Sequence, residues 1–217
     1  MTIGAVLWDL DGTLIDSEPV HIAALCDVLA QEALAVPAQL HEWLIGLSAR
    51  EVHELLVGRL GLALSYPALV DRKHAAYRRR RDELRPRQGG MEIFEILAGR
   101  GIRQAIVSNS DRVLVDLNLN AVGLAVPDLV SISRNDVRCG KPDAEPYLRA
   151  AWLLGAAPSE CTVVEDSPTG AASGLAAGMR VVAWPQSGDT GAAAFPTGIE
   201  LVDSAEALRE LLYRNHP

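Results

Sequence analysis

The sequence predicts an α/β fold in which a doubly wound parallel sheet carries an inserted all-helical domain. Short apolar runs rich in β-branched residues recur along the chain, and helical patterns separate most of them. Strands that alternate with helices are typical of parallel sheets. Between the first two runs the pattern changes to helical periodicity alone, which indicates that a helical domain interrupts the sheet.

The predicted strands are five short runs in which apolar residues follow one another instead of alternating with polar ones. Such runs are expected where helices cover both faces of a sheet. In chain order the runs are GAVLWD at 4–9, RQAIVSN at 103–109, DLVSI at 128–132, CTVVEDS at 161–167 and MRVVAW at 179–184.

Three helical patterns lie among the later strands, at 91–101, 145–155 and 203–215. The second has Pro146 near its start and Gly155 at its end, which is the usual punctuation of a helix. The third opens with Asp203 and Glu206, and their spacing predicts a pair of capping side chains.

The inserted domain is predicted from a stretch that is too long for a simple crossover between two strands. Pro and Gly cluster on both sides of it, in IDSEP and in RPRQGG, and these segments are the predicted hinges. We therefore predict a core domain of residues 1–15 and 87–217 and a cap domain of residues 16–86. Within the cap domain, helices are expected at 21–33, 49–61 and 66–84.

The composition argues against several classes of partner. The formal net charge is −8, so we expect neither nucleic acid nor an anionic membrane surface as a partner. The arginine run at 78–81 is interpreted as a solvated face or as a patch that attracts anionic substrates. No apolar stretch approaches the roughly 20 residues of a membrane helix.

The cysteines favour a reducing compartment. Cys26, Cys139 and Cys161 are scattered along the chain without metal-binding spacing. Acidic residues interrupt the apolar run near the N-terminus, so a secretory signal is not expected. We therefore expect a cytoplasmic protein. The sequence leaves the oligomeric state open, with a monomer favoured.

Polar and charged side chains follow three of the predicted strands at the points where these strands end. Ligands of parallel sheets lie beyond the carboxyl ends of the strands, so neighbouring strands would bring these groups into one cleft. A lysine in the segment CGKPD, just before a helix, would join them. The seven residues are Asp9, Asp11, Ser108, Asn109, Lys141, Glu165 and Asp166.

A cluster of carboxylates indicates a bound cation, because like charges at close range are costly without one. Hard oxygen ligands select Mg²⁺, which often holds a substrate phosphate as well. Asp11 can bind the metal through its backbone carbonyl, which would leave its carboxyl group free to transfer protons.

Simpler interpretations apply to each element alone. The DLDGT segment is typical of a turn, Lys141 of a surface lysine, and Glu165 with Asp166 of a helix cap. A calcium loop is excluded because the twelfth residue from Asp9 is Val20, where that loop needs a glutamate. The presence of all elements in one order favours a functional site.

Together these residues resemble the four motifs of the haloacid dehalogenase superfamily, and the resemblance covers nearly the whole chain. The inserted helical stretch is similar to the branch that includes β-phosphoglucomutase and many small-molecule phosphatases. The resemblance implies a Rossmann-like core with a helical cap domain, Mg²⁺ as the cofactor and an aspartyl-phosphate intermediate. The matching residues are Asp9, Asp11 and Thr13 in DLDGT, Ser108 in VSNS, Lys141 in GKPD, and Glu165 and Asp166 in VEDSPTG.

The resemblance implies a role for each matching residue. Asp9 would be the nucleophile, and at an ordinary pKa of about 3.9 it would be ionised without a base. Asp11 would protonate the leaving group and then deprotonate water. Lys141 would neutralise charge on the transferring group. Thr13, Ser108 and the backbone amide of Asn109 would bind the phosphate, and Asp9, Asp11, Asp166 and Glu165 would bind Mg²⁺, Glu165 directly or through water.

Two residues favour hydrolysis within this family. Asp11 matches the position of the acid in the branches that transfer phosphoryl groups. At the position of Thr13, phosphatases of the family usually have threonine, whereas β-phosphoglucomutase has valine. His21 and Arg50 resemble substrate-binding residues of the mutase, although Arg50 is one residue out of register. We therefore predict a Mg²⁺-dependent phosphatase acting on a small phosphorylated metabolite such as a sugar phosphate. The alternative is a phosphomutase of the β-phosphoglucomutase type.

Overall fold

The computed structural model describes residues 4–44, 47–186 and 195–213. The chain divides into two compact units. The first, called here the core unit, consists of Met1–Asp16 and Arg85–Pro217, and the second, the helical unit, is Ser17–Leu84. The function of the helical unit as a cap stays a prediction.

A six-stranded sheet forms the centre of the core unit, and its strand order is β5-β4-β1-β6-β7-β8 with every pair parallel. The predicted α/β fold is confirmed. The eighth strand was not predicted, because its two residues are both exposed and give no apolar run. The strands are β1 Ala5–Trp8, β4 Arg103–Val107, β5 Val130–Ile132, β6 Cys161–Glu165, β7 Arg180–Ala183 and β8 Glu200–Leu201.

A second, two-stranded antiparallel pair joins the two ends of the core unit that flank the helical unit. It consists of β2 Ile15–Asp16 and β3 Arg85–Pro86. These strands coincide with the predicted hinge segments, where Pro and Gly gave no strand signal.

The helices of the core unit are α5 Gly90–Gly99, α6 Arg112–Ala121, α7 Glu145–Leu153, α8 Pro168–Ala176 and α9 Ala205–Tyr213. The predicted cap of α9 is wrong in one respect. The hydroxyl of Ser204, rather than the side chains of Asp203 and Glu206, accepts the hydrogen bond from the backbone N–H of Ala207 at 3.2 Å. Ser204 directly precedes the helix and therefore occupies the capping position.

The central strand is fully buried, which explains its uninterrupted apolar sequence. All four residues of β1 have no exposed surface, and the indole N–H of Trp8 is satisfied by Gln104 at 2.8 Å. Helix α8 approaches the sheet closely at Gly174, where a Cβ atom would lie 2.8 Å from the side chain of Val181. Buried strands and a close helix together hold the strand ends in fixed positions.

The helical unit contains α1 Glu18–Gln31, α2 Leu40–Leu44, α3 Ala49–Leu60 and α4 Tyr66–Arg79. Helices α1 and α4 pack on each other. Arg80 belongs to the arginine run, yet it donates two hydrogen bonds to Asp27 of α1, at 2.7 and 2.8 Å. Three of the helices were predicted, and the five-residue α2 was not. Among the described residues, the helices are too short or too polar to span a bilayer.

Candidate active site

The carboxyl ends of three adjacent strands form the candidate site. Strand β1 lies between β4 and β6, with Trp8 opposite Ile106 on one side and Val164 on the other. Asp9 and Ser108 directly follow their strands, whereas Glu165 is the last residue of its strand. The neighbour relation on which the predicted convergence depended is therefore present.

Lys141 lies at the centre of this arrangement. Its ammonium group is almost completely buried and lies 2.5 Å from Asp9 Oδ1 and 2.5 Å from Glu165 Oε1. It also donates to the backbone carbonyl of Val107 at 2.8 Å. Burial alone would lower the pKa of Lys141, but the two carboxylates outweigh this effect and raise it above the ordinary value. The lysine is therefore charged.

The side chain of Asn109 fixes the backbone on which this lysine is carried. Its carbonyl oxygen accepts a hydrogen bond from the Lys141 N–H at 2.8 Å, and its amide group donates to the Lys141 carbonyl at 3.1 Å. The sequence predicted a phosphate contact through the backbone amide of Asn109. The structure adds a positioning role for its side chain.

Asp9 has two oxygens in different situations. Oδ1 accepts from Lys141, whereas Oδ2 is buried and has no hydrogen-bond partner among the described residues. Burial and the neighbouring Glu165 raise the pKa of Asp9 well above its ordinary value, although Lys141 opposes them. The ordinary pKa that the sequence predicted for Asp9 is therefore wrong for the protein without a bound cation. The sequence does not reveal how many carboxylates lie close to this buried side chain.

Asp166 lies against the turn that follows Asp9. Gly12 has a positive φ of +88°, and a Cβ atom there would lie 2.0 Å from Asp166 Oδ2, so only glycine fits this position. Burial and Glu165 raise the pKa of Asp166 to about 7, against the effects of Lys141 and Arg87.

The three carboxylates fit a divalent cation. Asp9, Glu165 and Asp166 each offer an oxygen, and these oxygens lie within 4.8 Å of one another. An all-oxygen donor set of this kind is suited to a hard cation such as Mg²⁺. The residues present therefore fit the metal that the sequence predicted.

Glu165 is already occupied by hydrogen bonds. Its Oε1 accepts from Lys141 and from the hydroxyl of Tyr147 at 2.9 Å, and its Oε2 accepts from the backbone N–H and the hydroxyl of Ser167, at 3.2 and 2.9 Å. A Cβ atom at Gly170 would collide with this carboxylate, so α8 needs glycine there. These contacts suit Glu165 better for holding Lys141 than for direct metal binding.

The carboxylate of Asp11 is held by three donors. Oδ2 accepts from the hydroxyls of Ser108 and Ser110, at 3.0 and 2.8 Å, and Oδ1 accepts from the side-chain amide of Asn118 at 2.8 Å. Thr13, in the same turn, is fully buried, and its hydroxyl has no partner among the described residues. A buried hydroxyl normally finds a partner, so Thr13 is suited to contact a ligand.

The two predicted cap residues lie in the helical unit. His21 of α1 stacks on the ring of Tyr77 with the ring centres 4.3 Å apart. The guanidinium of Arg50 lies 4.7 Å from the centre of the Tyr66 ring. Both contacts are internal to the helical unit, and substrate binding by His21 and Arg50 stays a prediction.

Sequence reasoning missed four residues that surround the site. Asn118 gives a usable signal, because it occupies the buried stripe of α6 with Leu114, Val115 and Leu119, where an apolar residue is expected. The others have no such signal, since a tyrosine fits an apolar stripe and a serine or an arginine fits a loop. The missed residues are Arg87, Ser110, Asn118 and Tyr147.

The sequence model of the haloacid dehalogenase-like hydrolases matches residues 3–178. Hexitol phosphatase A from Escherichia coli (strain K12) is 32% identical over 185 residues, which make up 85% of this chain and 84% of that protein. The phosphorylated carbohydrates phosphatase of Thermotoga maritima is 28% identical over 210 residues, or 95% of this chain and 97% of that protein.

A solved structure agrees with these sequence relations. The crystal structure of a hydrolase of this family from Deinococcus radiodurans R1, with bound phosphate and sodium, superposes with a TM-score of 0.79 and 29% identity, and the match covers 98% of this chain and 96% of that one. The match of the family model, the relatives, and the three motifs at adjacent strand ends with Lys141 beside them lead to one conclusion: the chain belongs to the haloacid dehalogenase-like hydrolase family.

Proposed function

We propose that this hydrolase is a Mg²⁺-dependent phosphatase that cleaves a small phosphorylated metabolite through an aspartyl-phosphate intermediate. The observation that carries the proposal is the state of Asp9. One of its oxygens is held by Lys141, and the other is buried without a partner among the described residues. An unpaired carboxylate oxygen beside a fixed cation is suited to attack an electrophile.

In the first step Asp9 Oδ2 forms a bond to the phosphorus of the monoester, and the bond from phosphorus to the leaving oxygen breaks. Asp11 transfers its proton to that oxygen as it leaves. To do so, the Asp11 carboxyl must exchange some of its contacts with Ser108, Ser110 and Asn118 for contacts with the substrate. The serine hydroxyl of Ser108 and the buried hydroxyl of Thr13 would hold phosphoryl oxygens.

In the second step a water molecule attacks the phosphorus of the aspartyl phosphate, and Asp11 accepts a proton from it. Asp9 is released as a carboxylate and phosphate leaves. Lys141 balances the charge on Asp9 in both steps, and Glu165 keeps the ammonium group in place.

The metal would be held by Asp9, Asp166 and the backbone carbonyl of Asp11. When bound, Mg²⁺ supplies the positive charge that keeps adjacent carboxylates ionised and neutralises oxygens of the transferring phosphoryl group. Glu165 is assigned to positioning because its two oxygens already accept four hydrogen bonds.

A sugar or sugar-alcohol phosphate is the proposed substrate class. The support is that two relatives are named as phosphatases of hexitols and of phosphorylated carbohydrates. A cytoplasmic location and a monomeric state stay predictions from the sequence.

The test is phosphate release from an aryl phosphate and from a panel of sugar phosphates, with added Mg²⁺ and with a chelator. We expect turnover only with Mg²⁺, and Asp9→Asn should abolish it because the amide cannot attack phosphorus. Asp136→Asn is the matched control, since it neutralises a core-unit aspartate that pairs with Arg112 instead of Lys141. Turnover by Asp9→Asn, or full activity in chelator, would overturn the mechanism. Interconversion of sugar phosphate isomers without release of phosphate would establish the mutase alternative instead.

A further inference from the structure

Arg87 makes an unusual set of contacts beside the candidate site. It directly follows β3, and its guanidinium donates to three backbone carbonyls, those of Gly12 at 2.7 Å, Trp184 at 2.7 Å and Pro185 at 2.8 Å. The Cζ atom of the same group lies over the indole of Trp184, 3.5 Å from the ring centre. One side chain therefore joins two separate loops of the core unit.

Both loops lead directly to the carboxylate cluster. Gly12 follows Asp11 and is in contact range of Asp166. Trp184 follows β7, and its backbone N–H donates to the carbonyl of Glu165 at 2.6 Å. The backbone N–H of Arg87 itself donates to the carbonyl of Leu14 at 2.8 Å, which closes the same turn from its other end. A shift of this turn would therefore move the Asp11 carbonyl relative to Asp166.

The guanidinium also contributes charge. Burial lowers the pKa of Arg87 to about 10, so it remains charged at neutral pH, and like Lys141 it acts to lower the pKa of Asp166. A planar group that donates in fixed directions and stacks on an aromatic ring is not reproduced by lysine. The geometry thus favours a specific role for arginine.

We propose that Arg87 is a positioning residue that holds the turn from Asp9 to Thr13 against the loop after β7, so that the Asp11 carbonyl and Asp166 face a common metal ion. This inference rests on the proposed function, since it assigns a purpose to the turn in Mg²⁺ binding.

Arg103 offers a matched control. It also donates to three backbone carbonyls, those of Gly4, Leu154 and Gly155, but it does so at the start of β4, at the opposite end of the strands from the carboxylates. Arg87→Met and Arg103→Met therefore remove the same type and number of hydrogen bonds, and only the first should affect the metal site.

The primary measurement needs no substrate. We would titrate Mg²⁺ into each protein and record the rise in melting temperature, because a ligand that binds the folded state stabilises it. Arg87→Met should raise the Mg²⁺ concentration for half of the full effect by about tenfold or more, as expected when a residue that orients a ligand is lost. Arg103→Met should stay within about twofold of the wild type. Arg87→Lys keeps the positive charge but loses the planar group of donors. Most of the increase in the required Mg²⁺ concentration should therefore persist in this variant.

Kinetics give a second measurement. At saturating Mg²⁺, Arg87→Met should lower kcat for an aryl phosphate by about tenfold, while KM stays within about twofold, because the guanidinium of Arg87 is committed to three backbone carbonyls of the protein. Equal Mg²⁺ responses of the two methionine variants would overturn the inference, and so would full recovery by Arg87→Lys, which would leave charge alone as the cause.

The outcome is separable from that of the proposed function. If the wild type releases phosphate but the two methionine variants respond alike, only the role of Arg87 fails. If the wild type neither binds Mg²⁺ nor releases phosphate, the proposed function fails and the metal-positioning role fails with it. Amide hydrogen exchange then still shows whether Arg87→Met, unlike Arg103→Met, loosens residues 9–16, so a structural clamp is distinguished from no clamp at all.

Discussion

Two acidic side chains of the carboxylate cluster and two of the helical unit have pKa values that are shifted in opposite directions. In the cluster, burial raises the pKa values of Asp9 and Asp166. In the helical unit, a hydrogen bond from the Arg80 side chain lowers the pKa of Asp27, and a hydrogen bond from the Ser48 hydroxyl lowers that of Glu51. The same kind of group is thus disfavoured as an anion in one region and favoured in the other.

The difference belongs to the cluster and not to the core unit as a whole. Asp136 also lies in the core unit, and burial acts to raise its pKa, but hydrogen bonds from Ser133 and Arg112 outweigh burial and lower it. Asp9 and Asp166 lack such compensation, because Lys141 is shared between Asp9 and Glu165 while Asp166 lies nearby as a third carboxylate. Groups whose ionisation opposes folding are typical of functional sites, where stability is given up for chemistry.

Among the changes that compare the two regions, Asp166→Asn has the largest expected effect. It removes a proposed metal ligand, so turnover should fall by at least about 100-fold. Loss of a residue that only hydrogen-bonds to a metal ligand already costs up to about 100-fold. It also removes one of the crowded charges, so the chelated protein should gain about 1–3 kcal/mol at pH 8. Turnover and urea denaturation in chelator measure the two effects.

A matched change outside the cluster sharpens this result. Asp136→Asn removes a carboxylate that is satisfied by hydrogen bonds, so it should lower stability and leave Mg²⁺ dependence unchanged. The contrast between the carboxylate cluster and Asp136 would be lost if both variants were destabilised to the same degree.

The second prediction concerns pH. The folded-state pKa of Asp166 is about 7, above its ordinary value of 3.8, so the fold prefers the protonated acid. This contribution to stability is fully present below about pH 4 and is lost as pH rises towards 7, with a slope of at most about 1.4 kcal/mol per pH unit for one group. Asp9 acts in the same direction.

The measurement is the free energy of unfolding in chelator between pH 4 and 8. An aspartate with a lowered pKa, such as Asp136, contributes stability that is lost only as pH falls below 3.8, outside this range. Stability should therefore decrease with rising pH in the wild type, and less steeply in Asp166→Asn. A flat or rising curve for the wild type would show that the cluster does not resist ionisation.

The sequence was sufficient for the main architecture because the strongest signals are local. A continuous apolar run predicted β1, and helical spacing with Pro and Gly at the ends predicted α7. Strand β8 was not predicted because its two exposed residues form no apolar pattern. The cap of α9 was misassigned because Ser204, Asp203 and Glu206 are all suitable capping residues near one helix start.

The site was predictable to the extent that its residues follow strands. Asp9, Ser108 and Asp166 could be placed in this way, but the groups that orient them could not. Tyr147 and Arg87 contact partners 18 and 75 residues away in the chain, and no local pattern marks such pairs. The raised pKa of Asp9 has the same origin, since it depends on carboxylates that only the fold brings together.

The smallest expected effect is that of Asp27→Asn in the helical unit. Arg80 donates to both oxygens of Asp27, so the variant loses a paired anion that links α1 to the segment after α4. Both side chains are partly exposed, at 28% and 32%, and solvent screens such pairs, so stability at pH 7 should fall by less than about 1 kcal/mol. Turnover of an aryl phosphate should not change.

The pH dependence of this loss in stability distinguishes Asp27 from the acids of the carboxylate cluster. The pKa of Asp27 is lowered in the fold, so its contribution is present above the ordinary value of 3.8 and disappears as pH falls through the lowered value. In urea denaturation, wild type and Asp27→Asn should therefore differ at pH 7, and the difference should shrink as pH falls below 3.8. If the variant were instead more stable at pH 7, as expected for Asp166→Asn, Asp27 would resist ionisation like the acids of the cluster, and the two regions would not differ in the way their charges act on folding.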